Sequence, residues 1–156
     1  MAKLMENRQS PLQISVVFVL IGVAVGLAHF VVTLVLSRYV VDPLACGVVG
    51  ATDQCASSLV IADGIATILV AVAGLFLGIR YGIARPLMVA AASGLLLFGM
   101  MTWTEGLFWL ESLGWALILY ALGYLLFGWI NRYPILGYVI VVTIVILIAE
   151  RIVLTF

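Results

Sequence analysis

The sequence predicts an all-α bundle of about five membrane-spanning helices, formed as a single domain by residues 1–156. Of these residues, 66% are hydrophobic and 9% are charged, whereas a soluble domain carries roughly 25% charged residues. Short polar breaks divide the apolar sequence into stretches of about 20 residues, which is the length that crosses a bilayer. The cations lie mostly in alternate breaks, and this asymmetry predicts an orientation.

The first predicted span covers about residues 13–37 and follows a short polar start. Pro11 suits the first turn of a helix, because that turn does not need its N–H. The apolar character continues through Leu36, which is too long for a signal-peptide core of about 7–15 residues. We therefore expect a retained span, followed by an ordered outer loop over residues 38–56.

Cys46 and Cys55 are predicted to form a disulfide that clips this loop. Gly47 and Gly50 lie between them, and glycines allow the chain to turn back tightly. The alternative is a redox pair, but such pairs usually have Cys-x-x-Cys spacing. Two cysteines and one distant histidine do not supply a conventional zinc site. We expect no metal and no other cofactor.

The remaining spans are predicted at about residues 57–79, 86–102, 112–130 and 134–155. The break between the second and third spans carries two arginines, a glycine and a proline, and the break before the last span carries an arginine and a proline. Tryptophans surround the third break, as is typical of the headgroup layer. Each break therefore supports a boundary between helices.

The distribution of cations predicts that the N-terminus lies in the cytoplasm and the C-terminus outside. The predicted inner segments carry five cations and the outer segments two; these are Lys3, Arg8, Arg80, Arg85 and Arg132 inside, and Arg38 and Arg151 outside. Cations favour the cytoplasmic side. The expected location is the cell membrane, a bacterial inner membrane or its equivalent. Since the net charge is zero, we expect the lipid bilayer and not nucleic acid as a partner.

Four ionisable residues within the predicted spans define a candidate ligand or proton site, namely His29, Asp63, Glu150 and Arg151. Ionisable groups in lipid are costly and commonly functional. His29 and Asp63 lie roughly 12 Å and 9 Å from the outer ends of their spans at 1.5 Å per residue, so we expect them to meet. Glu150 and Arg151 approach the same level. The alternative is that these groups only tie helices together or reach towards the headgroups.

Small residues four positions apart predict a helix-packing seam. Gly22 and Gly26 form one such pair, and Gly74 and Gly78 form another. Small residues allow helices in lipid to approach closely, and we favour packing within the bundle over an oligomer interface. Residues 139–148 of the last span are almost all β-branched or leucine, which suits a surface that faces lipid or a partner.

The sequence favours a non-enzymatic function. The first hypothesis is a small integral accessory subunit or assembly factor that packs against a larger membrane complex, with other subunits or copies of itself as partners. The alternative is a homo-oligomeric transporter, channel or lipid-binding protein that uses an outward-facing polar vestibule around His29 and Asp63. A membrane enzyme acting through Asp63, Glu105 or Glu111 is the third hypothesis, but the spacing of these acids indicates no reaction.

Overall fold

A computed structural model describes residues 11–46, 57–83, 85–104 and 106–155. Within these ranges the chain forms helices and turns and no strand, which confirms the all-α prediction. Five helical stretches are long and apolar enough to cross a membrane, the number that the sequence predicts.

The first helix continues beyond its predicted end at residue 37. Helix α1 covers Pro11–Leu36, a π-helical turn follows over Ser37–Val41, and helix α2 covers Asp42–Ala45. Beyond residue 36, the one proline of this stretch, Pro43, lies in the first turn of α2, where it is tolerated, so no proline ends the helix at residue 38. This corrects the predicted start of the outer loop. Cys55 lies outside the described residues, and the disulfide stays a prediction.

The second span is helix α3, which covers Ser58–Arg80. The third span is interrupted. Helix α4 covers Pro86–Leu96, and helix α5 covers Met100–Trp103. Between them, Gly99 has a φ of +89°, a left-handed conformation that glycine adopts without steric cost. The sequence predicted one continuous helix over residues 86–102.

The fourth and fifth spans are helix α6, Trp109–Ile130, and helix α7, Leu136–Thr155. Helix α1 packs mainly against α6 and α3, while α4 packs against α3 and α6. Helix α7 makes few contacts with α4 and α6. Only 6% of its stretch Leu136–Val153 is buried, compared with 33% to 44% in the other four candidate spans. The core therefore belongs to α1, α3, α4 and α6, and α7 lies on its outside.

The predicted glycine seam on α1 packs against the backbone of α6. A Cβ atom on Gly22 would lie 2.6 Å from the Cα of Ala121 and from the carbonyl oxygen of Tyr120. A Cβ atom on Gly26 would lie 2.8 Å from the carbonyl oxygen of Ala116. These two glycines therefore bring α1 and α6 together within the chain.

The two seam glycines on α3 are also used inside the bundle. Gly74 faces the hydroxyl group of Tyr124, and a Cβ atom there would overlap with it. A Cβ atom on Gly78 would lie 2.7 Å from the Cβ of Pro86, where the chain turns into α4. The small-residue seams thus explain packing between helices of this chain.

We expect Gly22→Ala to lower the free energy of unfolding by about 1–3 kcal/mol, because the added methyl group overpacks the α1–α6 contact. The matched control is Gly114→Ala on α6, where nothing lies within 4 Å of the added carbon, and which is expected to be neutral or to stabilise by up to about 1 kcal/mol. Unfolding in mixed micelles, followed by tryptophan fluorescence, measures both. Equal stability of the two variants would contradict this packing.

Candidate functional site

His29 of α1 and Asp63 of α3 lie side by side in the interior, as their predicted depths indicated. The Nε2 atom of His29 is 3.3 Å from Oδ1 of Asp63, and both side chains are 0% exposed. The same nitrogen is 3.2 Å from Oγ1 of Thr67. A buried charge is tolerated when it is paired and hydrogen-bonded; here Oδ1 of Asp63 is paired with His29 but makes no hydrogen bond among the described residues.

The hydrogen bonds of Thr67 determine the role that its hydroxyl group can take towards the histidine. The Thr67 hydroxyl donates to the backbone carbonyl of Asp63 at 2.8 Å. Because a hydroxyl has a single proton, Oγ1 of Thr67 can then only accept from His29. In the tautomer that carries its proton on Nε2, His29 therefore donates towards Thr67 and the neighbouring carboxylate.

The second carboxylate oxygen of Asp63 binds the interruption in the third span. The backbone N–H of Gly99 donates to Oδ2 of Asp63 at 2.8 Å. The first N–H groups of a helix have no partner within that helix, so a buried break needs acceptors from elsewhere. Asp63 supplies such an acceptor and thereby joins the break to the His29 pair.

Arg151 of α7 binds the same break from the other side. Its guanidinium donates to the carbonyl oxygens of Leu95 and Phe98, at 3.1 and 3.2 Å, and lies 5.7 Å from the centre of the Phe98 ring. The last carbonyl groups of a helix lack partners within it, and Arg151 satisfies carbonyls at the end of α4. Glu150 follows, with Oε2 3.7 Å from Nε of Arg151.

The four predicted site residues therefore meet at the break in the third span, as two separate pairs. Asp63 and Arg151 reach it from opposite sides, and both bind its backbone. The side chains of His29 and Asp63 are fully buried among the described residues, and the outward-facing vestibule stays a prediction.

Helix α6 adds two buried tyrosines, Tyr120 and Tyr124, to the interior. The ring of Tyr120 lies 5.1 Å from the ring of His29. Its hydroxyl is close enough to Asp63, Thr67 and Tyr124 to interact with them electrostatically. The spacing of four residues places both tyrosines on one face of α6, but helical spacing gives no direction for their hydroxyl groups.

Several polar atoms around this pair have unused hydrogen-bonding capacity. They are buried and make no hydrogen bond among the described residues; they are Nδ1 of His29, Oγ1 of Thr33, Oδ1 of Asp63, Oγ of Ser93 and the hydroxyl groups of Tyr120 and Tyr124. Buried polar groups are usually satisfied, so such a concentration calls for an explanation. Thr33 and Ser93, on α1 and α4, extend the polar interior beyond the ion pair.

Glu111, another acid considered for chemistry, does not join this cluster. Glu111 is exposed in the first turn of α6, whereas Asp63 is buried, and Glu105 lies outside the described residues. Among the described residues, no group of three or more histidine, cysteine, aspartate or glutamate side chains could hold a metal ion.

Comparison of the chain with models of protein families, with curated proteins and with solved structures finds no match. The fold defines a class, an all-α bundle with five helices able to cross a membrane, and the geometry of the site carries the functional inference.

We expect Asp63→Asn to lower the free energy of unfolding by about 3–5 kcal/mol, because it removes one partner of a buried pair and weakens the bond to Gly99. The matched control is Glu111→Gln, an acid-to-amide change at an exposed position, which is expected to stay within about 0.5 kcal/mol of the wild type. Unfolding in mixed micelles measures both variants. An Asp63→Asn protein as stable as this control would show that the carboxylate does not hold the helices.

Proposed function

We propose that this chain is a small, non-catalytic integral membrane protein that serves as an accessory subunit or assembly factor of a larger membrane complex and docks through α7. The observation that carries this proposal is the low burial of α7: 6% of its stretch Leu136–Val153 is buried. The other four spans complete each other's packing, so α7 is the helix whose packing the chain leaves most incomplete.

The exposed side of α7 is suited to a rigid contact with another helix. Val141, Val145, Ile148 and Ile152 are all exposed and follow one another at helical spacing along one face. Branched side chains have few rotamers in a helix, and therefore lose little freedom when another helix packs on them. Van der Waals packing of this kind drives association in lipid.

The charged residues of α7 favour a protein over lipid alone as its neighbour. The side chain of Arg151 is 47% exposed, and the carboxylate of Glu150 accepts no hydrogen bond among the described residues. Charged groups within a span are expensive unless they meet polar partners. A polar side chain of a partner helix would stabilise this part of α7, whereas acyl chains would not.

The glycine seams leave α7 as the surface for such a partner. Gly22, Gly26, Gly74 and Gly78 are in contact with other parts of this chain, so they offer no free groove to a second protein. A partner that follows this geometry approaches α7 from the side opposite to α4 and α6.

A second candidate is a homo-oligomeric transporter, channel or lipid-binding protein that uses the polar interior. The observation that favours it is the set of buried polar atoms around His29 and Asp63 that make no hydrogen bond among the described residues. In this candidate the closed pair is the occluded form of a site that opens during the transport cycle. Copies of the chain, and not a foreign protein, would then surround α7.

The experiment is extraction of the full chain from its native membrane in mild detergent, followed by native mass spectrometry. A foreign protein in stoichiometric amount is expected with the wild type. Val141→Trp, at a 60% exposed position of α7, is expected to lose this protein, because the larger ring disturbs the docking face. The matched control is Leu69→Trp, at a 51% exposed position of α3, which is expected to retain it.

A homo-oligomer or monomer that carries only lipid or a small ligand would contradict the accessory-subunit proposal and favour the second candidate. Retention of the foreign protein by both tryptophan variants would leave it an accessory subunit but would exclude α7 as its docking helix.

A further inference from the structure

The peptide bond between Phe98 and Gly99 lies between two oppositely charged side chains from different helices. Its N–H donates to Asp63 at 2.8 Å, and its C=O accepts from Arg151 at 3.2 Å. In a trans peptide the N–H and the C=O point in opposite directions. The carboxylate, the peptide and the guanidinium therefore form one continuous chain of hydrogen bonds.

Such a chain transmits a change of charge from one end to the other. Hydrogen bonds to ionised groups are roughly twice as strong as neutral ones, and linked hydrogen bonds polarise each other by about 10–30% per bond. The negative charge on Asp63 makes the C=O of Phe98 a better acceptor for Arg151. Neutralising Asp63 weakens the bond to Gly99 and, through the peptide, the bond to Arg151.

Among the groups linked by these hydrogen bonds, the Asp63 carboxylate is the one whose charge a proton would neutralise. Binding of a proton forms one O–H bond on the carboxylate and removes its negative charge, with no oxidation or reduction. The ionisable groups that face it are His29 from α1 and Tyr120 from α6, with Arg151 and Glu150 beyond the peptide. Helices α4 and α5 contain no titratable side chain.

The position of Arg151 on α7 gives this coupling a mechanical consequence. At its start, α7 follows a turn that is fixed by two hydrogen bonds, from Arg85 to the carbonyl of Pro134 and from Asn131 to the carbonyl of Arg85. Arg151 binds the bundle near the opposite end of the helix. A weaker Arg151 contact thus loosens one end of α7 while the other end stays attached.

We propose that His29 and Asp63 form a proton-binding site, and that its occupancy sets, through the Phe98–Gly99 peptide and Arg151, how firmly α7 is held against the bundle. Protonation of Asp63 loosens α7 and deprotonation fastens it. The consequence for a docked partner rests on the proposed function, since α7 is the helix that docks. The coupling itself lies within this chain and needs no partner for its test.

The test is nuclear magnetic resonance of the full chain, labelled with ¹⁵N-glycine and reconstituted in phosphatidylcholine nanodiscs. The amide proton of Gly99 reports the hydrogen bond to Asp63 directly. We expect Arg151→Gln to move this resonance upfield, although Arg151 does not touch the Gly99 N–H. Acidification of the wild type is expected to move it in the same direction. In Asp63→Asn the resonance is expected to lie upfield at every pH and to lose its pH response.

The chain offers matched controls for this measurement. Gly82 and Gly106 also have left-handed backbones, with φ of +67° and +90°, and nothing lies within 4 Å of a Cβ built on either. Their resonances are expected not to move in Arg151→Gln. The variant Arg132→Gln, which removes an arginine outside the break, is expected to leave Gly99 at its wild-type position.

Two results would overturn the proposal. A Gly99 resonance that stays in place in Arg151→Gln would show that the peptide does not couple the two charges. A wild-type resonance that does not respond to acid while the protein stays folded would show that the pair binds no proton; this result holds even if Asp63→Asn fails to fold. If the Gly99 resonance depends on pH but native mass spectrometry finds no foreign protein, the coupling within this chain is supported and the proposed partner is rejected.

Discussion

One buried negative charge, the carboxylate of Asp63, determines how the helices of this protein meet. A carboxylate in an apolar interior requires partners, and these come from two different elements: His29 on α1 lies at ion-pair distance from Oδ1, and the Gly99 amide between α4 and α5 donates to Oδ2. The amide is available only because the third span is broken there. Arg151 then completes the carbonyl side of the same break, so the charge also determines where α7 attaches.

The sequence predicts the helices better than it predicts their interruptions. Backbone groups in lipid must be satisfied internally, so five apolar stretches predict five helices, and matching depths on antiparallel spans predict that His29 meets Asp63. The break at Gly99 was missed, because one glycine among leucines is tolerated in a helix and nothing nearby shows that an acid on another helix binds its amide. The start of the loop at residue 38 was misplaced because polar residues mark a drop in hydropathy and do not by themselves end a helix.

The structure separates an interior that is fixed by polar contacts from an outer helix that is held lightly. Glycines bring α1, α3 and α6 close enough to enclose the tyrosines and the His29–Asp63 pair, and this explains why the seams predicted from the sequence are internal. In a membrane, helix α7 would gain little from the hydrophobic effect by packing, since lipid is as apolar as its side chains. Its attachment therefore depends on the polar contact of Arg151 with the break. Through this contact, the charge of Asp63 influences the helix that is proposed to bind a partner.

The central claim is that His29 and Asp63 act as one unit, and a double-mutant cycle tests it most directly. The free energy of unfolding is measured in mixed micelles for the wild type, His29→Asn, Asp63→Asn and the double variant. Residues in direct contact show coupling energies of about 0.5–3 kcal/mol, and independent residues add within about 0.5 kcal/mol. The account predicts that the double variant loses less unfolding free energy than the two single variants lose together, by at least about 1 kcal/mol. Additive losses would show that the two side chains are neighbours without an energetic coupling, and would contradict the account.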